Sequence, residues 1–186
     1  MEKYLVSLLM LCTAQITYAQ TTGFERYRFA DYSSGKIYRG KHRPVQIPKK
    51  WQHMRTRIKN GQSNKIDFAS HYKIVTWGCG TQCVGGVMID ARTGKVHDLT
   101  TLSTEYPLHH CHLPNGKEEQ GDIFKYRANS RLFITANCNY EEIENNEDKV
   151  KQHKRVYIYE WQERQQKFRL IKTLVRTSIV PVSAWH

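Results

Sequence analysis

Asp67, Ser70, His71 and Tyr72 fall within one short stretch and are the residue types from which a hydrolase assembles a nucleophile, a base and an orienting carboxylate. On a strand, neighbouring side chains point to opposite faces, so Ser70 and His71 would be badly placed as nucleophile and base. No G-x-S-x-G elbow is present. We expect His71 to lock a strand entry by hydrogen bonding; a small hydrolase using His71, Asp67 and Tyr72 is the alternative.

Cys79 and Cys83 follow closely, enclosing Gly80-Thr81-Gln82. The spacing is C-x-x-x-C rather than the C-x-x-C of thiol redox enzymes, and no β-α-β order surrounds it. The flanking Gly78 and Gly80 suit the tight backbone of a small disulfide ring. Cys111 and Cys138 are expected to form a second disulfide, tying a long loop to a later strand. His109-His110-Cys111-His112 is dense in metal-ligand types, and on an extended segment His110 and His112 share a face. With Cys111 oxidised, two histidines make a weak, open site, so transition-metal binding through His110 and His112 is a secondary alternative. No cofactor is expected.

Charge is the other chemical resource. The chain of 186 residues carries a formal net charge of +12. Between Phe24 and Lys65, twelve Lys and Arg residues face only Glu25 and Asp31. Arg39, Lys41, Arg43, Lys49, Lys50, Arg55 and Arg57, with the aromatics Tyr38 and Trp51, are the candidate binding residues. Such a field attracts acidic partners and speeds encounter at low salt. Stacking of Tyr38 and Trp51 on nucleic-acid bases would suit the charge, yet no nucleic-acid motif accompanies them.

The start of the chain bears on the compartment. Met1-Glu2-Lys3 precedes an apolar run from Leu5 to Cys12, and Thr17-Tyr18-Ala19 ends on small residues. This order reads as a secretory signal cut after Ala19, with a mature domain from 20 to 186 in the periplasm or outside the cell. Leu11 before Cys12 is too bulky for lipid attachment, and no later run is long and apolar enough for stable membrane insertion. Export makes disulfides the natural state of the four remaining cysteines.

The elements that must position these groups follow from local pattern. Residues 20–48 read as a basic arm broken by Pro44 and Pro48. Residues 49–60 suit an amphipathic helix with Trp51, Met54 and Ile58 on one face and Gly61 as its stop. The body from 66 to 186 is β-rich, with strands at 71–77, 84–89, 96–99, 123–126, 131–138, 155–161 and 168–175, the last two forming a hairpin. The acidic run from Glu141 to Asp148 reads as a loop able to fold back on the basic arm. The fold expected is α+β: one mainly antiparallel sheet of five to seven strands with one short helix packed on it, stapled by disulfides.

Asp67-Phe68-Ala69-Ser70-His71-Tyr72, then Trp77-Gly78-Cys79-Gly80-Thr81-Gln82-Cys83, then Asp90-Ala91-Arg92-Thr93-Gly94-Lys95-Val96, form an ordered set. It resembles a family of secreted bacterial proteins of unassigned function whose signature reads roughly N-F-A-G-H-Y, W-G-C-G-T-x-C, D-x-x-T-G-x-V. The resemblance spans about residues 50–97, and the helix ending in Asn60-Gly61 fits that family's layout. Asp67 stands where the family usually has asparagine, and Ser70 where it usually has glycine. The resemblance implies a secreted, β-rich domain and no particular activity.

One-sided charge, two staples and no convergent catalytic group favour recognition over turnover. The expected function is a binding or inhibitory module, of immunity-protein type, for an acidic protein or an anionic envelope polymer. No nucleic-acid partner is expected, and oligomeric state is left open.

Overall fold

The computed structural model describes residues 26–62, 65–80, 83–100, 110–119 and 124–184. The expected signal segment and His109 lie outside the described residues. Among the described residues the chain forms seven strands: β1 (Tyr72–Gly80), β2 (Cys83–Asp90), β3 (Val96–Asp98), β4 (Phe124–Tyr126), β5 (Leu132–Ile143), β6 (Asn146–Gln162) and β7 (Lys167–Pro181). All pairings between these strands are antiparallel. The strands make two sheets rather than the single one expected, in the orders β1-β2-β3 and β4-β5-β6-β7. The ladder breaks after β3 because the next strand, β4, pairs with β5 instead.

Alternation along the strands builds four apolar clusters among the described residues, three of them where layers meet. Tyr72, Ile74 and Met88 of the small sheet meet Phe133, Tyr159 and Trp161 of the large one, with Phe68 between them. The opposite face of the small sheet, through Val75, Trp77, Val87 and Ile89, is covered by Ile58, Trp51 and Met54. The outer face of the large sheet, through Leu132, Ile134 and Ile158, is covered by Tyr27, Phe29 and Tyr32 of the arm. Central strands are thus buried on both faces, and period two shows there as a division between two cores rather than between core and water.

The helix expected over 49–60 divides in two. Lys49–Met54 is a 3-10 segment and Arg55–Gly61 a single α-helix, α1. The tighter 3-10 turn stacks residues three apart, which sets Trp51 above Met54 against the small sheet. Gly61 ends α1 without a positive φ. Its role is close approach: a Cβ there would lie 2.4 Å from Val75 Cγ1.

The acidic run is not a loop. It supplies the end of β5 and the start of β6, joined by a tight turn in which Asn145 has φ 59°. Glu141 sits directly opposite Lys151 and bonds to it at 3.0 Å, with His153 at 2.8 Å. Opposite charges facing across a ladder favour its continuation.

Both expected disulfides form, Cys79–Cys83 at the tip of the β1–β2 hairpin and Cys111–Cys138 onto β5. Such bonds belong to an oxidising, extracellular-type compartment. Among the described residues no helix is long and apolar enough to cross a membrane.

Candidate functional site

The arm is held to the small sheet by backbone bonds that bracket its most basic turn. Tyr38 N–H donates to Ser70 O at 2.8 Å, and Arg43 N–H donates to Ala91 O at 2.9 Å. Gln62 Nε2 reinforces the second anchor at Arg43 O, 2.9 Å away. Between the anchors the Tyr38 hydroxyl donates to Lys41 O at 3.2 Å, closing the turn on itself. The Tyr38 ring lies over Gly40, where a Cβ would come within 2.4 Å of the hydroxyl oxygen. His42 stacks on the same ring, with centroids 6.2 Å apart.

The result is a braced loop with Arg39 and Lys41 directed to solvent. It borders a surface cavity of about 770 Å³ lined by Tyr38, Arg39, Lys41, His42 and Lys65, with Ile37 and Ile66 as its apolar wall. Among the described residues no carboxylate contributes to that lining. A concave basic surface focuses potential on an anion, and bracing spares part of the ordering cost of binding.

The other candidate binding residues are spread differently. Arg43 forms the loop's second anchor, while Lys49, Arg55 and Arg57 are exposed along the 3-10 segment and α1. Among the described residues Arg39, Lys41, Arg43, Lys49, Arg55 and Arg57 have no ion-pair partner, whereas Lys50 pairs with Asp98. Trp51 donates its indole N–H to Asp98 at 2.7 Å and packs edge-on against Trp77. It is a packing residue of the helix and is not exposed as an anchor.

The hydrolase candidates do not assemble as one set. Asp67 accepts Ile74 N–H at 2.8 Å and pairs with Lys73. Ser70 Oγ lies 2.6 Å from Ser34 Oγ and donates to Gly35 O at 3.1 Å. Ala69 and Ser70 both have positive φ, 42° and 68°, in the turn that delivers His71 and Tyr72 to their places. Backbone bonds to Ala128 and Ser130, together with Ser34, hold this unfavourable geometry.

His71 and Tyr72 instead converge on a residue that the sequence did not single out. Glu163, in the turn between β6 and β7, takes His71 Nε2 at 3.2 Å and Arg92 Nη2 at 2.9 Å on one oxygen. Its other oxygen accepts Tyr72 OH at 3.0 Å and Trp161 Nε1–H at 2.9 Å. Burial pushes the Glu163 carboxyl up, but these donors outweigh it and hold the group below the usual carboxylate range. Burial also carries His71 below its ordinary value, against the pull of Glu163. With each oxygen bonded twice, the carboxylate is a poor base; the cluster joins the two sheets as a polar clamp. Only its local signals were visible, namely the strand at 71–77 and the polar connector at 162–166.

His112 Nδ1 lies 2.8 Å from Tyr140 OH, and His110 Nδ1 is 2.7 Å from Glu118 Oε1. The two rings thus have separate partners. Among the described residues no group of three or more His, Cys, Asp or Glu side chains is placed to hold a metal ion. Comparison with protein-family models, with curated proteins and with solved structures gave no match.

Proposed function

We propose that this protein is an exported binding module of the cell envelope that recognises an acidic protein or anionic polymer through the Tyr38–Arg43 loop. The observation that carries this reading is the braced loop itself, with Arg39 and Lys41 beside a cavity whose described lining residues include no carboxylate. Periplasmic or secreted placement after cleavage near Ala19 belongs to the same proposal, supported by the signal-like start and the two disulfides. A small hydrolase built on His71 has less support, because Glu163, the carboxylate bonded to His71 among the described residues, is occupied by three other donors.

The test is a pull-down of the disulfide-bonded protein from envelope extract, separated into protein and polymer fractions, followed by association rates over a salt series. Reversing Arg39, Lys41 and Arg43 together is expected to slow association far more than it speeds dissociation. The difference should shrink as the screening length falls to roughly 8 Å near physiological ionic strength. Equal association rates for the two proteins at low salt would reduce the loop to a solubilising surface.

A further inference from the structure

β7 is an edge strand with a long outer side. It pairs with β6 from Lys167 to Pro181, and among the described residues no segment pairs with its other side. In an antiparallel ladder alternate residues turn their N–H and C=O away from the neighbour, so this edge carries a row of backbone groups able to pair with another strand.

The side chains along that edge are divided by face. Register sets Val175 opposite Arg155 and Ile179 opposite Lys151, which places these two on one face. Lys172 and Arg176, opposite Ile158 and Lys154, lie on the other. Val175 is 62% exposed and Ile179 54%. Exposed edges are ordinarily protected by charge, which Lys172 and Arg176 supply on one face only. The other face leaves Val175 and Ile179 open one above the other, where an added strand could cover them.

Charge decides the occupant. No acidic residue follows Glu163 in the chain, whereas Arg164, Lys167, Arg169, Lys172 and Arg176 all do. A second copy would bring the same cations to this edge with no carboxylate to meet them, and pairing two-fold about Leu174 would even set Lys172 of one chain against Arg176 of the other. We propose that the outer edge of β7 takes an extended acidic segment of a partner protein, added as a further strand. Its carboxylates lie beside Lys172 and Arg176, and its alternate apolar side chains cover Val175 and Ile179. Backbone bonds give such strand addition its affinity, and the alternating side chains give it selectivity.

A synthetic peptide alternating glutamate and valine serves as the probe, with hydrogen exchange across 167–181 as the readout. Alternate amides of β7 are expected to gain protection when the peptide is added. Affinity should fall about tenfold in V175K/I179K and in K172E, all changes at exposed positions that leave the core intact. It should survive in R39E/K41E/R43E, which separates this edge from the loop. Absence of protection overturns the proposal, and so does equal binding by a peptide N-methylated on alternate amides. Protection that rises with protein concentration alone would assign the edge to a second copy, and loss of binding in R39E/K41E/R43E would place the peptide on the loop; either result overturns it too.

Discussion

The hydroxyl of Tyr72, at the start of β1, donates to Glu163 Oε2 at 3.0 Å and joins residues 91 apart in the chain. That bond links the two sheets at the end where β1 begins, and the charges around it should make stability depend on pH.

His71 holds its proton less readily folded than unfolded, because burial lowers its pKa. Stability should therefore be constant at neutral pH and fall as pH drops through the ordinary histidine value of 6.5. Glu163, also lowered, contributes stability that is present above 4.5 and lost as pH falls further. Thermal unfolding against pH should show both declines. Glu163→Gln is expected to shrink the lower one, with Asp90 and Asp98, likewise held low, supplying the remainder. His71→Asn should shrink the upper one, with His97, likewise lowered by burial, supplying the remainder. A melting temperature unchanged from pH 7 to pH 5 would contradict the assignment.

Gly61→Ala should destabilise the protein even though alanine favours helix. The new methyl meets Val75 Cγ1 at 2.4 Å, and Val75 is a stiff, buried, β-branched residue. The expected cost is about 1–3 kcal/mol by chemical denaturation. Adding Val75→Ala should recover part of it, which a purely backbone effect would not allow.

Gly40→Ala makes the opposite split. Its Cβ meets the far end of the Tyr38 ring, which can swing aside, so stability should change by no more than about 0.5 kcal/mol. The swing breaks the Tyr38–Lys41 bond and unbraces the loop. Capture of the proposed anionic partner should weaken while the denaturation midpoint stays in place.

The two disulfides should differ in weight. Cys111 and Cys138 are separated by 27 residues and Cys79 and Cys83 by 4, so chain entropy assigns about 3–4 kcal/mol to the first and about 2 kcal/mol to the second. Paired Cys→Ser variants compared by urea denaturation check the order. Cys138 is fully buried and Cys79 exposed, so mild reductant followed by thiol labelling should modify Cys79 first.

What was legible in the chain was local. β-Branched and aromatic runs such as Tyr72 to Trp77 mark strands wherever they lie, and the glycines around Cys79 mark a tight ring. The braced loop was half legible, since Tyr38, Arg39 and Lys41 stood out by type but not the backbone bonds that hold them. Glu163 was not legible as the partner of His71, because no spacing rule spans that distance and its neighbours are an ordinary polar connector. The run Glu141 to Asp148 misled because acidic composition signals loop, whereas Lys151 and His153, supplied by the facing strand, bond to Glu141 and the ladder continues through it.

β6 contains 17 residues, which extended at about 3.3 Å each would reach about 55 Å. A compact domain of this chain length has a radius of gyration of about 16 Å and a diameter near 40 Å. The β5–β6–β7 ribbon therefore outreaches the small sheet, and its far end keeps a private apolar cluster of Val150, Val180, Tyr140 and Val182. In solution a monomer with such a ribbon drags more than a sphere of equal mass: it should sediment slowly and elute early from a sizing column. Its rotation should show two correlation times, the slower belonging to end-over-end tumbling of the ribbon.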